Sequence, residues 1–345
     1  MMNDTNKIVS TIKKICIEQG ALVALIGVSI VALIIFPELW NKDVLLKTVM
    51  GFSIVGVVAL GQTFVIMTGG IDLSVGAIAA VAGFSAALLQ TYPGWVPILI
   101  PLLAGTALGA INGLSITRLN VPPFIATLAM MMGARGTSLI ISKEEPIGLV
   151  KIDESFANIG QGAIFGVPNL VWIFAIVSII CIIVSKYTRF GRSVFAVGGN
   201  EEAAKMMGFN PRKVKMIVYS ISGLFSGLAG MMLTSRLSSA QTTAGIGWEL
   251  TAIAAVVLGG TLLTGGRGKF TGTICGVLLY AVIELLLGRF SLMVWWINIF
   301  TGLLVFVVVV LQSRAELLKE HKNYNKKRKK GDKEKQMTRS IENDG

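Results

Sequence analysis

The chain has 345 residues, of which 53% are hydrophobic and 14% are charged. Soluble domains carry about 25% charged residues, and ~20 consecutive apolar residues suffice to cross a bilayer, so this composition excludes an ordinary soluble protein and predicts several membrane spans. The net charge of +12 does not indicate nucleic-acid binding, because the basic residues lie between the apolar runs and in the C-terminal tail.

The apolar runs predict an all-α polytopic membrane protein with about ten transmembrane helices. Residues 1–19 are polar, and the run that follows them lacks a small-residue cleavage site, so we expect a cytoplasmic N-terminal segment and a first span that is retained. The predicted transmembrane domain covers 20–312. Its spans are 20–36, 44–67, 72–90, 95–117, 124–142, 170–186, 213–233, 249–263, 270–288 and 293–312.

Lysine and arginine set the predicted orientation, because they are enriched in cytoplasmic loops. With both termini in the cytoplasm, 24 of the 31 basic residues fall in cytoplasmic segments and six fall in outer ones, while Arg135 lies inside a span. This distribution predicts an even number of spans, with both termini cytoplasmic.

Two segments outside the spans leave alternatives open. The outer loop at 143–169 is the longest on its side, and it is a plain connecting loop, or it forms a short surface helix or a docking platform. The basic tail at 313–345, which includes KKRKK at 326–330, is predicted to be disordered. A solvated tail that reinforces the topology is the favoured interpretation, and binding of anionic membrane lipid is the alternative.

Cysteine and histidine usage argues against a metal site and against histidine-dependent catalysis. Cys16, Cys181 and Cys275 lack CxxC spacing, and the one histidine, His321, lies in the charged tail. The sequence therefore predicts no metal and no catalytic residue in this chain.

Glycines recur at every fourth residue in several spans. Gly105, Gly109 and Gly113 form one such stripe, and Gly223 with Gly227 forms another. Small residues at this spacing allow helix backbones to approach closely in a membrane, so we expect these glycines to lie at helix contacts.

The polar stretch GGNEEAAKMMGFNPRKVK, at 198–215, predicts a capped helix inside the cytoplasmic segment 187–212. Asn200 is a good N-cap, the two glutamates after it favour a helix N-terminus, and Gly208 and Pro211 end the helix after two to three turns. Such a helix is not stable alone, so it either packs on the protein's own inner surface or inserts into a partner. The residues assigned to it are Asn200, Glu201, Glu202, Ala203, Ala204 and Gly208.

Glu202, Ala203, Ala204 and Gly208 resemble the E-A-A-x-x-x-G loop of ABC-importer permeases, which supplies the helix that couples to the ATPase. Other segments, in the order of the chain, are similar to ribose-type sugar permeases, and the resemblance covers about 40 to 312. These segments are GQTFVIMTGGIDLSVG, VPPFIATLAMMMGARG, GRSVFAVGGNEEAAKMMG, RLSSAQTTAGIGWELTAIAAVVLGG and GGRGKFTGT.

The resemblance implies partners that this chain does not contain. GGRGKF is not a phosphate-binding loop, because Phe270 stands where the Mg²⁺-binding hydroxyl belongs and Leu263 stands where the first glycine belongs. ATP and Mg²⁺ are therefore expected on a separate ATPase with two nucleotide sites, and this chain is expected to bind no cofactor. We also expect an extracytoplasmic sugar-binding protein and a second permease chain, which forms a homodimer with this one. The resemblance places the complex in the bacterial inner membrane.

Polar residues inside the spans are candidates for the translocation path or for interhelical bonding, and for Asp72 helix capping is the favoured interpretation. In GGIDLSVG, Asp72 or Ser74 caps the helix that resumes after the glycine pair, or Asp72 is functional. Arg135 and Glu284 require partners, and we expect them to pair with each other or with Asp72. The candidates are Gln62, Asp72, Ser74, Asn112, Arg135, Glu249, Glu284 and Asn298.

The favoured hypothesis is the permease subunit of an ATP-driven importer for ribose or a related monosaccharide. Nucleosides and furanose-like signalling molecules are the alternative solutes. A secondary transporter, with Asp72, Glu284 and Arg135 as an ion or proton relay, is the alternative mechanism. A membrane enzyme is disfavoured, because no constellation of His, Asp or Ser has catalytic spacing.

Overall fold

The computed structural model describes residues 20–150 and 153–289, together with scattered residues between 296 and 314. The chain divides into two compact units, Met1–Thr301 and Gly302–Gly345, and in the second the described residues are helical. The elements of the first unit are α1 (Gly20–Ile35), a 3₁₀ turn (Pro37–Trp40), α2 (Lys42–Met67), α3 (Val75–Leu88), α4 (Val96–Arg118), α5 (Pro123–Ser142), β1 (Ile147–Gly148), α6 (Glu154–Gln161), β2 (Ala163–Ile164), β3 (Val167–Pro168), α7 (Asn169–Tyr187), α8 (Arg189–Gly199), α9 (Glu201–Met206), α10 (Pro211–Leu237), β4 (Ser239–Ala240), α11 (Trp248–Leu258) and α12 (Phe270–Arg289).

Among the described residues, six helices are long and apolar enough to cross a membrane: α2, α4, α5, α7, α10 and α12. The shorter apolar helices α1, α3 and α11 correspond to three further predicted spans. The chain is therefore an all-α, multi-pass membrane protein. Most of the tenth predicted span, 293–312, lies outside the described residues, as do segments 1–19 and 315–345.

Two predicted spans are longer than the helices that form. The third begins at Val75 rather than at 72, because the preceding residues are held in a non-helical turn. The eighth ends at Leu258 rather than at 263, because Gly260 takes the left-handed conformation with φ of +82°. No other residue type adopts that conformation as readily.

Helix α10 lies at the centre of the bundle and packs most extensively against α4, and then against α3 and α2. The glycine stripes meet at the α4–α10 contact: a Cβ on Gly109 would overlap the carbonyl oxygen of Tyr219 and lie 2.9 Å from the Cα of Gly223. The predicted packing role of these glycines is confirmed, since the two backbones touch where no side chain intervenes.

The predicted outer loop at 143–169 contains a short surface helix, α6, fastened to the end of α10. The Ser235 hydroxyl accepts from the Gly160 N–H at 2.8 Å and donates to the Phe156 carbonyl oxygen at 2.6 Å. Asp153 caps α6 by accepting from the Ser155 N–H and hydroxyl, and these bonds hold the pKa of the Asp153 carboxyl below its usual value. The loop is thus a fixed structure over the described residues.

The segment 187–212, predicted to be cytoplasmic, contains two helices, α8 and α9. Helix α9 covers six residues, so the predicted two to three turns are too many. It ends after Met206 because Gly208 adopts a left-handed conformation with φ of +82°, and Pro211 then occupies the first turn of α10. The preceding residues, predicted only as part of the cytoplasmic segment, form α8.

Candidate functional site

A buried, non-helical break separates α2 from α3 and holds the Asp72 carboxylate. Asp72 is fully enclosed. Its Oδ1 accepts from the Ser74 N–H at 2.9 Å and the Ser74 hydroxyl at 2.5 Å, and its Oδ2 accepts from the Ser222 hydroxyl at 2.8 Å. Polar groups enclosed away from water are costly unless they are hydrogen-bonded, and both carboxylate oxygens of Asp72 are.

Further polar groups fix the backbone of the same break. The Asn112 amide donates to the Ser74 hydroxyl oxygen at 2.8 Å. Gln62 pairs with the backbone of Asp72. Its amide nitrogen donates to the Asp72 carbonyl oxygen at 3.3 Å, and its amide oxygen accepts from the Asp72 N–H at 3.2 Å. The Tyr219 hydroxyl approaches the Ile71 carbonyl oxygen at 3.5 Å. The structure therefore brings four sequence-predicted residues, Gln62, Asp72, Ser74 and Asn112, into one network.

Sequence analysis missed two members of this network, Tyr219 and Ser222, both on α10. The sequence does contain an indication of them, because YSISG places two polar side chains, Tyr219 and Ser222, three residues apart inside an apolar span. Nothing local to that span indicates that it meets Asp72, which lies 150 residues earlier in the chain.

Arg135 belongs to a second polar cluster, and its expected pairing with Glu284 or Asp72 is wrong. Its guanidinium donates to the carbonyl oxygens of Thr242 (3.2 Å) and Ala244 (2.8 Å), in the turn that leads into α11. Glu249, in the first turn of α11, is the acidic side chain that interacts with it electrostatically. Arg135 therefore holds this turn against α5.

The turn that Arg135 holds is also packed against α3 through backbone. A Cβ on Gly76 would overlap the Gly245 carbonyl oxygen, and Gly245 and Gly247 have φ values of +72° and +80°. Thr243 and Ile246 of the same turn are exposed. The turn is thus held by α3 and α5, while Thr243 stays exposed beside the half-buried Arg135 and Glu249.

Glu284 lies apart from both clusters, in a cleft of about 330 Å³ between α2 and α12. Asn298 lies outside the described residues. The residues that line the cleft are Lys47, Thr48, Gly51, Phe52, Glu284, Leu285, Gly288 and Arg289.

Helix α9 presents one buried residue and an exposed surface. The Asn200 side chain caps it by accepting from the Ala203 N–H at 2.9 Å. Ala204 is buried, whereas Glu202 is exposed and Met206 is 89% exposed. Glu201 turns back and pairs with Lys215 of α10 at 2.6 Å. The helix is therefore anchored to the protein while most of its surface stays open.

The segment that carries α9 also touches the end of α2. The Gly266 N–H donates to the Met67 carbonyl oxygen at 3.0 Å, and a Cβ on Gly198 would overlap that same oxygen. Gly265 approaches Gly69 in the same place. The end of α2, the end of α8 and the turn at 265–266 thus meet where the break begins.

Within the part of the chain that the structure describes, no group of three or more His, Cys, Asp or Glu residues lies close enough to hold a metal ion.

Comparisons with known proteins place these features in a family. A family model described as a branched-chain amino acid transport system permease component matches residues 44–309. The chain is 38% identical over 314 residues to the ribose import permease protein of Haemophilus influenzae, covering 90% of this chain and 97% of that protein. It is 39% identical over 302 residues to the ribose import permease protein of Bacillus subtilis (86% and 93% covered) and 36% identical over 269 residues to the fructose import permease protein of Bifidobacterium longum (74% and 78% covered). No solved structure matches the chain. With the match extending from α2 past α12, the chain belongs to this permease family of ABC importers, as its likeness to ribose-type permeases led us to expect.

Proposed function

We propose that this chain carries ribose or a closely related monosaccharide inward, as the permease subunit of an ABC importer in the bacterial inner membrane. It is a transport subunit, and ATP hydrolysis belongs to a separate ATPase chain. The choice of ribose rests on one observation: the alignment with this chain covers 97% of the Haemophilus influenzae protein, whose name specifies ribose import. Nucleosides and furanose-like signalling molecules are the alternative solutes.

The assembly is completed by an ATPase on the cytoplasmic side and a binding protein on the other. We further propose that the permease is a homodimer surrounded by membrane lipid. Each copy has ten spans, and both of its termini are cytoplasmic. ATP and Mg²⁺ bind the ATPase, and no cofactor is assigned to this chain. No nucleic acid takes part.

The exposed surface of α9 supports its assignment as the ATPase-coupling helix. Exposed Met206 and Met207 follow an exposed carboxylate at Glu202, whereas buried Ala204 fixes the helix to the protein. Methionine side chains adapt to irregular grooves, which suits insertion into a cleft of a partner. Movement of that cleft on ATP binding would then move α9.

Changing Glu202 to lysine, or deleting 200–208, is expected to abolish solute uptake while the protein still inserts into the membrane. Both changes remove the exposed acidic surface by which α9 meets the ATPase. Uptake of radiolabelled ribose by cells that produce all three subunits measures the effect, and co-purification of the ATPase measures docking. Glu154→Lys makes the same charge change on α6 and should leave ATPase co-purification intact. Normal uptake together with normal co-purification in Glu202→Lys would contradict the assignment.

The turn that carries exposed Thr243, beside the half-buried Arg135 and Glu249, is our candidate for the wall of the translocation path. Charged groups that are only half-buried are costly against lipid, so we expect this turn to face water or a solute. The Asp72 network has a different role, since it is enclosed on all sides and its side-chain partners are hydroxyl groups. That enclosure disfavours the ion- or proton-coupled secondary transporter.

Thr243→Cys is expected to react with a water-soluble maleimide and to be protected by bound solute. The test uses a background in which Cys16, Cys181 and Cys275 are replaced, and it follows labelling of purified, reconstituted transporter. Maleimide reacts with the thiolate form of cysteine. Apolar surroundings, in lipid or in the protein core, disfavour that form. The controls Ile179→Cys, exposed on α7, and Ala254→Cys, buried in α11, should label far more slowly. Equal labelling of all three positions would show that the turn does not line a water-filled path.

A further inference from the structure

One face of α10 connects the coupling helix with the buried break. Lys215, Tyr219 and Ser222 follow one another at spacings of four and three residues, so they share a face and span about 10 Å along the axis. Lys215 pairs with Glu201, the first residue of α9, at 2.6 Å. Tyr219 and Ser222 reach the break, where Ser222 donates to the Asp72 carboxylate at 2.8 Å.

Helix α10 is suited to transmit a displacement along this face. It is continuous from Pro211 to Leu237 and packs against α4, α3 and α2 over much of its length. A helix clamped in this way moves as a unit, because close-packed contacts deform little. Movement at Lys215 is therefore carried to Ser222.

The same coupling segment meets the break at a second point. Gly198, at the end of α8, contacts the Met67 carbonyl oxygen, which also accepts the Gly266 N–H. The segment therefore touches one end of the break directly and reaches Asp72 at the other end through α10. A rotation of α9 about the Gly198 contact would shift α10 relative to α2.

We propose that Glu201 and Lys215 are positioning residues, which transmit the movement of α9 through α10 to the Asp72 break. This proposal rests on the proposed function, because it needs an ATPase that moves α9. The two side chains are partly exposed, at 40% and 25%. Pairs of this kind contribute little to stability, so their removal should leave the fold intact and act on the link between ATP hydrolysis and transport.

The test reconstitutes the permease with its ATPase and binding protein in liposomes and measures solute imported per ATP hydrolysed. Glu201→Gln and Lys215→Met should each lower this ratio about threefold, the factor expected from losing an interaction of this class. The exchanged pair, Glu201→Lys with Lys215→Glu, should restore most of it. Lys213→Met is the matched control, because the described residues place no acidic side chain within salt-bridge distance of Lys213, and it should keep the wild-type ratio.

Two results would overturn the proposal. In one, the single variants keep the wild-type ratio, or the exchanged pair transports no better than they do. In the other, the ratio falls only in step with a loss of thermal stability of the purified permease, which would mark a merely structural pair. A wild-type complex that imports no solute with ATP would instead overturn the proposed function, so the two failures are distinguishable.

Discussion

Replacing Gly109 with leucine is expected to prevent the chain from accumulating as folded protein in the membrane. A single added carbon at Gly109 already overlaps the Tyr219 carbonyl oxygen, and the rest of the side chain must enter the same contact. Overpacking a core costs about 1–3 kcal/mol when side chains are free to adjust. Here the obstacle is the backbone of α10, so α4 and α10 must separate. Either Asn112 of α4 then leaves the Ser74 hydroxyl, or Tyr219 and Ser222 of α10 leave the break.

The measurement is the yield of monodisperse protein after extraction in detergent, followed by its thermal unfolding. Gly109→Ala should give an intermediate result, with protein present but a lower unfolding temperature. Gly27→Leu is the matched control, since Gly27 lies on an exposed face of α1 and a Cβ there meets nothing within 4 Å. Wild-type yield and stability of Gly109→Leu would mean that α4 and α10 do not touch in the membrane.

Replacing Asp72 with leucine is the second change expected to have a large effect. The carboxylate accepts three hydrogen bonds, and leucine would leave the Ser74 N–H and two serine hydroxyls buried without an acceptor. Each unpaired donor costs roughly 1–3 kcal/mol, and the sum approaches the ~5–15 kcal/mol that holds a typical domain folded. We therefore expect Asp72→Leu to unfold the break and to abolish uptake.

Asp72→Asn separates a structural role of this residue from a proton-carrying one. Asparagine retains an acceptor oxygen toward Ser74, and its amide can donate to the Ser222 oxygen once that hydroxyl rotates, so the break is expected to survive with most of the uptake. A proton or ion relay through Asp72 would instead lose all uptake in this variant, because asparagine does not titrate. ATP-dependent uptake by both variants, compared with the amount of protein extracted, decides between the two.

Local patterns predict most of the helices in the described region. Apolar length alone placed nine helices to within a few residues, and the Asn200 cap and the Gly208 stop are short-range features that a single segment contains. The errors at Val75 and Leu258 have a common cause: glycines next to an apolar run interrupt a helix that hydropathy would continue.

Partners of buried polar side chains could not be predicted in the same way. Arg135 bonds to two carbonyl groups more than 100 residues away in sequence, and the composition of α5 gives no indication of that contact. Asp72 likewise meets Ser222 because α10 packs closely on α2, where a Cβ on Gly61 would lie 3.1 Å from the Ser222 Cα. Such contacts depend on how helices pack, which residue type and spacing within one span do not determine.

The long sequence separation inside the Asp72 network also has a consequence for synthesis at the ribosome. Ser222 follows Asp72 by 150 residues. At about 5–20 residues per second, α10 emerges on the order of ten seconds after the break has been made. During that interval Ser74 is the partner within reach, because it lies two residues away. The Asp72–Ser74 turn therefore protects a carboxylate while the nascent chain enters the membrane, before the finished bundle encloses it.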